Sequence, residues 1–256
     1  MTPVPLTQAL VRPPGANFAR ALSSRGLPID AARARAEHAE YCQALAAAGL
    51  TVEELPADEH HPDSCFMQDP AVVVAGRAVL GRLSAPSRQG EETALAQALA
   101  ARHFPLARIS APGTLEGGDV LRLPERVLVG LSGRTNAAGI DQLSAILSAA
   151  GLPVTAVPVR GYLHLLTAAT YVGQGTLLAV GDYAAHPAFA GLDVFSVPPE
   201  EAYAANALAV DEQVLLPAGH PRTLEALRAR GFEVLPVPMS QFAAADGGVT
   251  CLSLVW

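Results

Sequence analysis

The sequence predicts an α/β fold: five repeated units of helix and strands closed into a propeller-like ring, a single domain over residues 1–256. Three observations carry this reading. A short apolar phrase ending in Pro occurs five times. A helical pattern precedes most copies. A loop and then a second apolar strand follow each one. Recurrence at this spacing is the mark of a repeat architecture, and closing the repeats into a ring removes exposed sheet edges.

The elements follow in order. Ile29 to Ala48 sets Ala and Leu at helical spacing and leads into the first phrase, Ala48 to Pro56. The Gly in the phrase suits a helix C-terminus, where φ is often positive. The Val/Leu/Ile run after it reads as a strand, and Pro ends it. A second strand begins at Asp69-Pro70-Ala71-Val72, with a hairpin turn near Gly76-Arg77. Glu91 to Arg102 is the next helix, Phe104 to Pro112 the second phrase, and Gly118-Asp119-Val120-Leu121 its following strand. The third unit has a helix over Asn136 to Ala150, the phrase Ala150 to Pro158, a strand around His164-Leu165-Leu166, and a turn at Gly173-Gln174-Gly175. The fourth phrase, Ala190 to Pro198, has only a weak helical pattern before it. Its strand starts near Asn206 and turns at Asp211-Glu212. Thr223 to Arg230, the phrase Arg230 to Pro238, and a strand from Cys251 to Leu254 complete the set.

Composition narrows the function. Half of the 256 residues are apolar, enough for one sizeable core. Acidic residues outnumber basic ones, 24 to 17, and no Lys/Arg cluster occurs, so the footprint of a nucleic-acid binder is missing. A net charge of −7 suits a small cationic substrate. Three cysteines, Cys42, Cys65 and Cys251, give no disulfide framework and fit a reducing, cytoplasmic setting. No signal peptide or membrane-length apolar run is recognisable. His60-His61 lies among acidic residues and Cys65, but adjacent His side chains point apart and zinc-type spacing is absent, so no metal is expected. Gly173-x-Gly175 lacks the rest of a dinucleotide loop, and there is no phosphate-binding loop, so no cofactor is expected either.

The polar residues at the starts of the second strands are the informative ones. Unit by unit they are Asp69, Glu116 with Asp119, His164, Asn206 and Cys251. If the units are related by rotation, these positions converge on one axis. A thiol, an imidazole and carboxylates meeting there are the makings of nucleophilic catalysis with an acid–base partner. Cys251 follows Asp246-Gly247-Gly248-Val249-Thr250, and paired glycines permit close backbone approach to a ligand. His164 lies in an apolar strand, Tyr162 to Leu166, where a buried imidazole must have a partner. Taken alone, Glu116-Gly117-Gly118-Asp119 reads as a turn and Asp69-Pro70 as a strand cap. Cys42 reads as a small core residue inside a helix, and His38, His103, His186 and His220 read as structural.

These residues match a known family. The segments Pro62 to Pro70, Ala111 to Asp119, Gly133-Arg134-Thr135-Asn136, Leu163-His164-Leu165, Tyr203 to Asn206, Pro217 to Thr223 and Asp246 to Leu254 occur in order over almost the whole chain. Together they resemble the dimethylarginine dimethylaminohydrolases of the guanidine-modifying, pentein-fold superfamily. The resemblance implies a five-bladed α/β propeller of ββαβ units around a polar channel. It implies Cys251 as nucleophile, His164 as general acid/base and Glu116 as the partner that orients His164. It places Asp69 and Gln68 at the substrate guanidinium and Arg88 with Arg134 at the α-carboxylate. Asp63, with backbone oxygens near Leu22 and Ala245, would form the α-amino pocket, and Leu22 belongs to a segment that acts as a lid in similar enzymes. Asp119 and Asn206 would be supporting residues. The implied reaction is cofactor-free hydrolysis of N-omega-methylated arginine to citrulline and an amine through a covalent thiouronium.

One residue departs from the family pattern: Gln68 stands where Glu is common. Gln keeps an acceptor oxygen but loses a charge, which bears on which guanidine is preferred. The other readings are an arginine deiminase-like hydrolase of a different guanidine and a catalytically silent pentein that works by binding. The sequence does not locate an oligomer interface, although a ring face is compatible with a homodimer.

Overall fold

The computed structural model describes residues 6–256. Among them β1 (Gln8–Val11) is followed by α1 (Ala31–Ala47) and β2 (Thr51–Glu54). Next come β3 (Ala71–Val74), β4 (Arg77–Leu80), α2 (Glu92–Ala101) and β5 (Leu106–Arg108). The same order gives β6 (Val120–Arg122), β7 (Val127–Leu131), α3 (Ala137–Ser148) and β8 (Val154–Pro158). A one-turn helix, α4 (Leu165–Ala168), precedes β9 (Ala169–Gly173), β10 (Thr176–Val180) and β11 (Asp193–Val197). The chain ends with β12 (Leu208–Val210), β13 (Gln213–Pro217), α5 (Pro221–Ala229), β14 (Glu233–Val237), α6 (Ser240–Ala244) and β15 (Ser253–Val255).

These strands make five three-stranded sheets of one pattern. The first two strands form an antiparallel hairpin, and the second pairs in parallel with the third after a crossover. The physics is that of the connections: a hairpin needs only a tight turn, whereas a parallel partner needs a crossover of a dozen or so residues. At the β3–β4 turn, Ala75 and Gly76 have φ of 50° and 72°, the left-handed pair that matches strand twist. The middle strands are buried along nearly their whole length, and the third strands are largely exposed.

The fifth sheet joins the chain ends. β15 takes β1 as its antiparallel neighbour, with Leu254 opposite Leu10, and β1 pairs in parallel with β2. The apolar clusters connect the sheets in a closed cycle. Leu10 and Leu254 pack with Val73 and Leu80. Val72 and Val79 pack with Val120 and Val127. Leu121 and Leu128 pack with Leu178 and Val214. Leu208 and Leu215 pack with Val11 and Val255.

Several sequence expectations change. His164 is not in a strand: it caps α4, and β9 starts five residues later at Ala169. Cys251 and Asp119 also precede their strands, in the 3-10 turns Val249–Leu252 and Gly117–Asp119. Each apolar run was long enough to be read as strand, but its first residues form a helical turn instead. The weak fourth helix is replaced by two 3-10 turns, Gly181–Ala185 and Pro187–Phe189. β1 has no repeat phrase and was not foreseen.

Candidate active site

Cys251 sits in the turn that leads into β15, after two glycines. A Cβ on Gly247 would collide with the Phe66 ring, and one on Gly248 would collide with Asn206 Oδ1. The close approach that these glycines permit is to side chains of the protein, and Gly247 also lines the cleft. The Gly248 N–H points at Cys251 Sγ, 3.3 Å away. Burial, then the charge of Asp69, push the Cys251 thiol up to about 12; Gly248 N–H, the Thr250 hydroxyl and Arg88 pull the other way. The free site therefore holds Cys251 as a thiol.

His164 is buried, and its Nε2 lies 2.8 Å from Glu116 Oε2. Gly118 lets the ring stand against the backbone: a Cβ there would be 2.6 Å from His164 Nδ1. With Nε2 committed to Glu116, Nδ1 is the ring nitrogen left for proton transfer. Burial opposes protonation of His164, but Asp69, Glu116 and Asp119 overcome it, so its pKa is raised. Glu116 is wholly buried, and its Oε1 accepts from both the backbone N–H and the hydroxyl of Ser84, each at 3.1 Å. Burial alone would raise the Glu116 pKa, but the His164 hydrogen bond and the cations around it hold it below the usual carboxylate range. Asp119 accepts from Leu165 N–H at 2.9 Å and from Ser132 Oγ at 2.6 Å, which fixes the backbone next to His164.

Arg88 and Asp69 form a buried pair, Nη1 to Oδ2 at 2.7 Å. The other edge of the guanidinium meets Glu91 in a fork, Nε to Oε1 at 3.0 Å and Nη2 to Oε2 at 2.9 Å. Three of five donors are thus used; burial outweighs the pull of Arg88 and raises the Glu91 carboxyl to about 7. Asp69 Oδ1 also accepts from Gly118 N–H at 3.2 Å. Arg134 is half-turned to solvent, with Nη1 3.5 Å from Glu116 Oε1. Leu22 donates its N–H to Asp63 Oδ1 at 3.0 Å, and Ser23 Oγ donates to Ala244 O at 2.6 Å. The segment around Leu22 is thereby tied over the cleft.

One narrow cleft brings most of the expected residues together: Leu22, Asp63, Asp69, Arg88, Arg134, His164, Ala245 and Cys251 line it. Phe66, Leu163, Asp246 and Gly247 complete the wall. Three expected residues stand behind it: Glu116, Asp119 and Asn206. Gln68, expected at the substrate guanidinium, is partly exposed and is tied by its side-chain oxygen. Its Oε1 accepts from Thr250 Oγ1 at 2.8 Å. Thr250 in turn is gripped by Asn206, whose Oδ1 accepts Thr250 N–H at 2.9 Å and whose Nδ2 donates to Thr250 Oγ1 at 3.0 Å. Gln68 is thus joined to the turn that carries Cys251, where its own backbone N–H also donates to Cys251 O at 3.1 Å. Sequence reasoning missed Glu91, Thr250 and Ser84. The only signal for Glu91 was its place three residues after Arg88 on one turn.

Asp69, Glu116 and His164 lie close enough to share a metal ion. Their oxygens and Nε2 are already engaged by Arg88, Ser84 and one another, which accounts for the cluster without one. His61, the nearest thing to a metal ligand in the sequence, bonds Asp58 Oδ2 through Nδ1 at 2.8 Å.

Comparison with known proteins gives the family. Residues 59–169 match the model of the arginine deiminase family. The chain is 40% identical over 194 residues to the N(G),N(G)-dimethylarginine dimethylaminohydrolase of Pseudomonas aeruginosa, covering 75% of this chain and 76% of that one. The enzyme of that name from Streptomyces coelicolor is 37% identical, covering 75% and 74%. The structure of a cysteine-to-serine mutant of the Pseudomonas aeruginosa enzyme, complexed with citrulline, superposes with a TM-score of 0.95 at 36% identity, covering 99% of this chain and all of that one. Aligned across three quarters of its sequence and nearly all of its fold, this chain belongs to the dimethylarginine dimethylaminohydrolase family.

Proposed function

We propose that this chain hydrolyses N-omega-methylated arginines, asymmetric dimethylarginine and monomethylarginine, to citrulline and dimethylamine or methylamine. The observation that carries the proposal is the cleft itself: Cys251 and His164 share its wall, and Glu116 holds His164 by one nitrogen and leaves the other free. The five sheets are taken as blades of one propeller-like ring, a single catalytic domain with the cleft at its axis. Their common pattern and the closed cycle of apolar contacts support this. The free thiols fit a cytoplasmic setting.

The chemistry follows from the residues. Asp69 receives the guanidinium, and Arg88 with Arg134 receives the α-carboxylate in charge-assisted bonds. Asp63 takes the α-amino group. A cation seated beside Cys251 offsets the charge of Asp69, which adds to burial in keeping the thiol protonated. The thiol proton passes to His164, and the thiolate attacks the guanidinium carbon, forming C–S. His164 then protonates the methylated nitrogen as its C–N bond breaks, and the amine departs. A covalent thiouronium remains. Neutral His164 takes a proton from water, the hydroxide adds to carbon, and C–S breaks to return Cys251 and citrulline. Acid–base help of this kind contributes on the order of 100- to 10,000-fold.

A second reading is hydrolysis of unmodified arginine with release of ammonia, favoured by the arginine deiminase match over residues 59–169. Incubation with asymmetric dimethylarginine, monomethylarginine and arginine, with citrulline and amine measured, separates the two. Dimethylamine or methylamine from wild type and none from Cys251→Ser is the expected result. A preference for arginine would transfer the assignment to the second reading.

A further inference from the structure

A separate set of donor atoms lies between α1 and the edge strand β2. His38 and Cys42 are one turn apart on α1, with Nδ1 3.6 Å from Sγ. Glu54, the last residue of β2, brings a carboxylate oxygen so that all three donors lie within 4.8 Å of one another. None of the three lines the active-site cleft.

Each group is poorly served as it stands. His38 is only 2% exposed, yet its Nε2 has no partner. Its Nδ1 meets nothing better than a thiol, a weak hydrogen-bond donor. Glu54 makes no side-chain hydrogen bond or ion pair among the described residues, whereas its neighbour Glu53 reaches Arg102. A buried imidazole with so weak a partner costs stability. A carboxylate beside a thiol adds no attraction of its own.

One cation would engage His38 Nδ1, the Cys42 sulfur and the Glu54 carboxylate together, while His38 Nε2 keeps the ring proton and stays unpartnered. Imidazole nitrogen, thiolate sulfur and carboxylate oxygen are the donor set of a borderline divalent metal. Zinc bonds of about 2.0 Å to nitrogen and 2.3 Å to sulfur, at a tetrahedral angle, set the two donors roughly 3.5 Å apart. The His38–Cys42 separation of 3.6 Å already meets that requirement. The two ligands come from one face of a helix, and the exposed Glu54 closes the third side. We propose that His38 Nδ1, Cys42 Sγ and a Glu54 carboxylate oxygen form a zinc-type divalent metal site, with water in the fourth position. On binding, Cys42 gives its proton to solvent and coordinates as thiolate, and His38 binds as the neutral ring. The site is open to solvent through Glu54 and does not depend on the catalytic cleft.

The test uses the full chain carrying Cys251→Ser, which removes the active-site thiol. Cd²⁺ is titrated and its thiolate charge-transfer absorption followed in the ultraviolet. One equivalent should develop the band, Zn²⁺ should displace it, and thermal unfolding should shift upward with either metal. Adding Cys42→Ala should abolish the band. Glu54→Gln, an exposed change that leaves packing alone, should weaken binding by roughly tenfold or more while the band keeps its shape. Absence of a band, a band that survives Cys42→Ala, or unchanged affinity in Glu54→Gln would each overturn the site. Glu54→Gln keeps the test decisive should Cys42→Ala fail to fold.

Discussion

Glu116→Gln isolates the role of the carboxylate behind His164. The substitution keeps the shape and removes the charge. In the wild type Glu116 Oε1 receives two donors from Ser84, and Oε2 faces His164 Nε2 at 2.8 Å. An amide has one acceptor oxygen. If it faces Ser84, the NH₂ faces His164 Nε2 and selects the wrong ring tautomer. If it faces His164, the two Ser84 donors meet an NH₂. Either way one buried set is mismatched. A hydrogen bond to a charged partner contributes about 1.5–3 kcal/mol against about 1 for a neutral one, so His164 loses roughly 1–2 kcal/mol of preference for its protonated form. That lowers its pKa. A less basic His164 takes the Cys251 proton less readily, so less of the proton that must reach the leaving amine is delivered, and kcat should fall on the order of 10- to 100-fold. The acid side of the pH–rate profile should recover part of the loss. The assay is steady-state release of citrulline and amine across pH, with alkylation of Cys251 as a check that the cleft is intact. A kcat within about threefold of wild type, with an unmoved profile, would refute the reasoning.

Because the Cys251 thiol is pushed up to about 12, its alkylation by iodoacetamide should quicken as pH rises through 9 and beyond. An unreactive guanidinium ligand should speed it at neutral pH; a plateau near pH 7 in the free enzyme would contradict this. Gln68→Glu should lower the apparent KM for a methylated arginine by adding an anion. It should also slow Cys251 alkylation at a given pH, and an unchanged or higher KM counts against it. Glu91→Gln should raise KM about tenfold for substrates with an α-carboxylate, because the fork that aims Arg88 is loosened by roughly 1–2 kcal/mol. An alkylguanidine without that carboxylate should bind as before, and an equal loss for both would remove the assigned role. Gly248→Ala should destabilise the fold by about 1–3 kcal/mol in denaturant titration, since the added methyl overlaps Asn206.

The sequence by itself determined the architecture and much of the site. Five copies of one phrase announced five sheets, because each repeat buries its apolar face only against its neighbours. Helix limits at α1, α2, α3 and α5 were legible to within two residues from spacing and composition. Cys251, His164 and Asp69 stood out because equivalent positions in related units converge. The tertiary structure alone decided the rest. β1 carries no repeat phrase and is a strand because β15 and β2 flank it on either side. His164 heads a helical turn rather than a strand because the Asp119 carboxylate captures the Leu165 N–H. The Gln68 side-chain oxygen is taken by Thr250, itself held by Asn206, a pairing that spacing does not announce. Glu91 became meaningful only beside Arg88. Periodicity reports which face of a segment is apolar. It does not report which distant polar group will meet a given donor, and that pairing is fixed only when the sheets pack together.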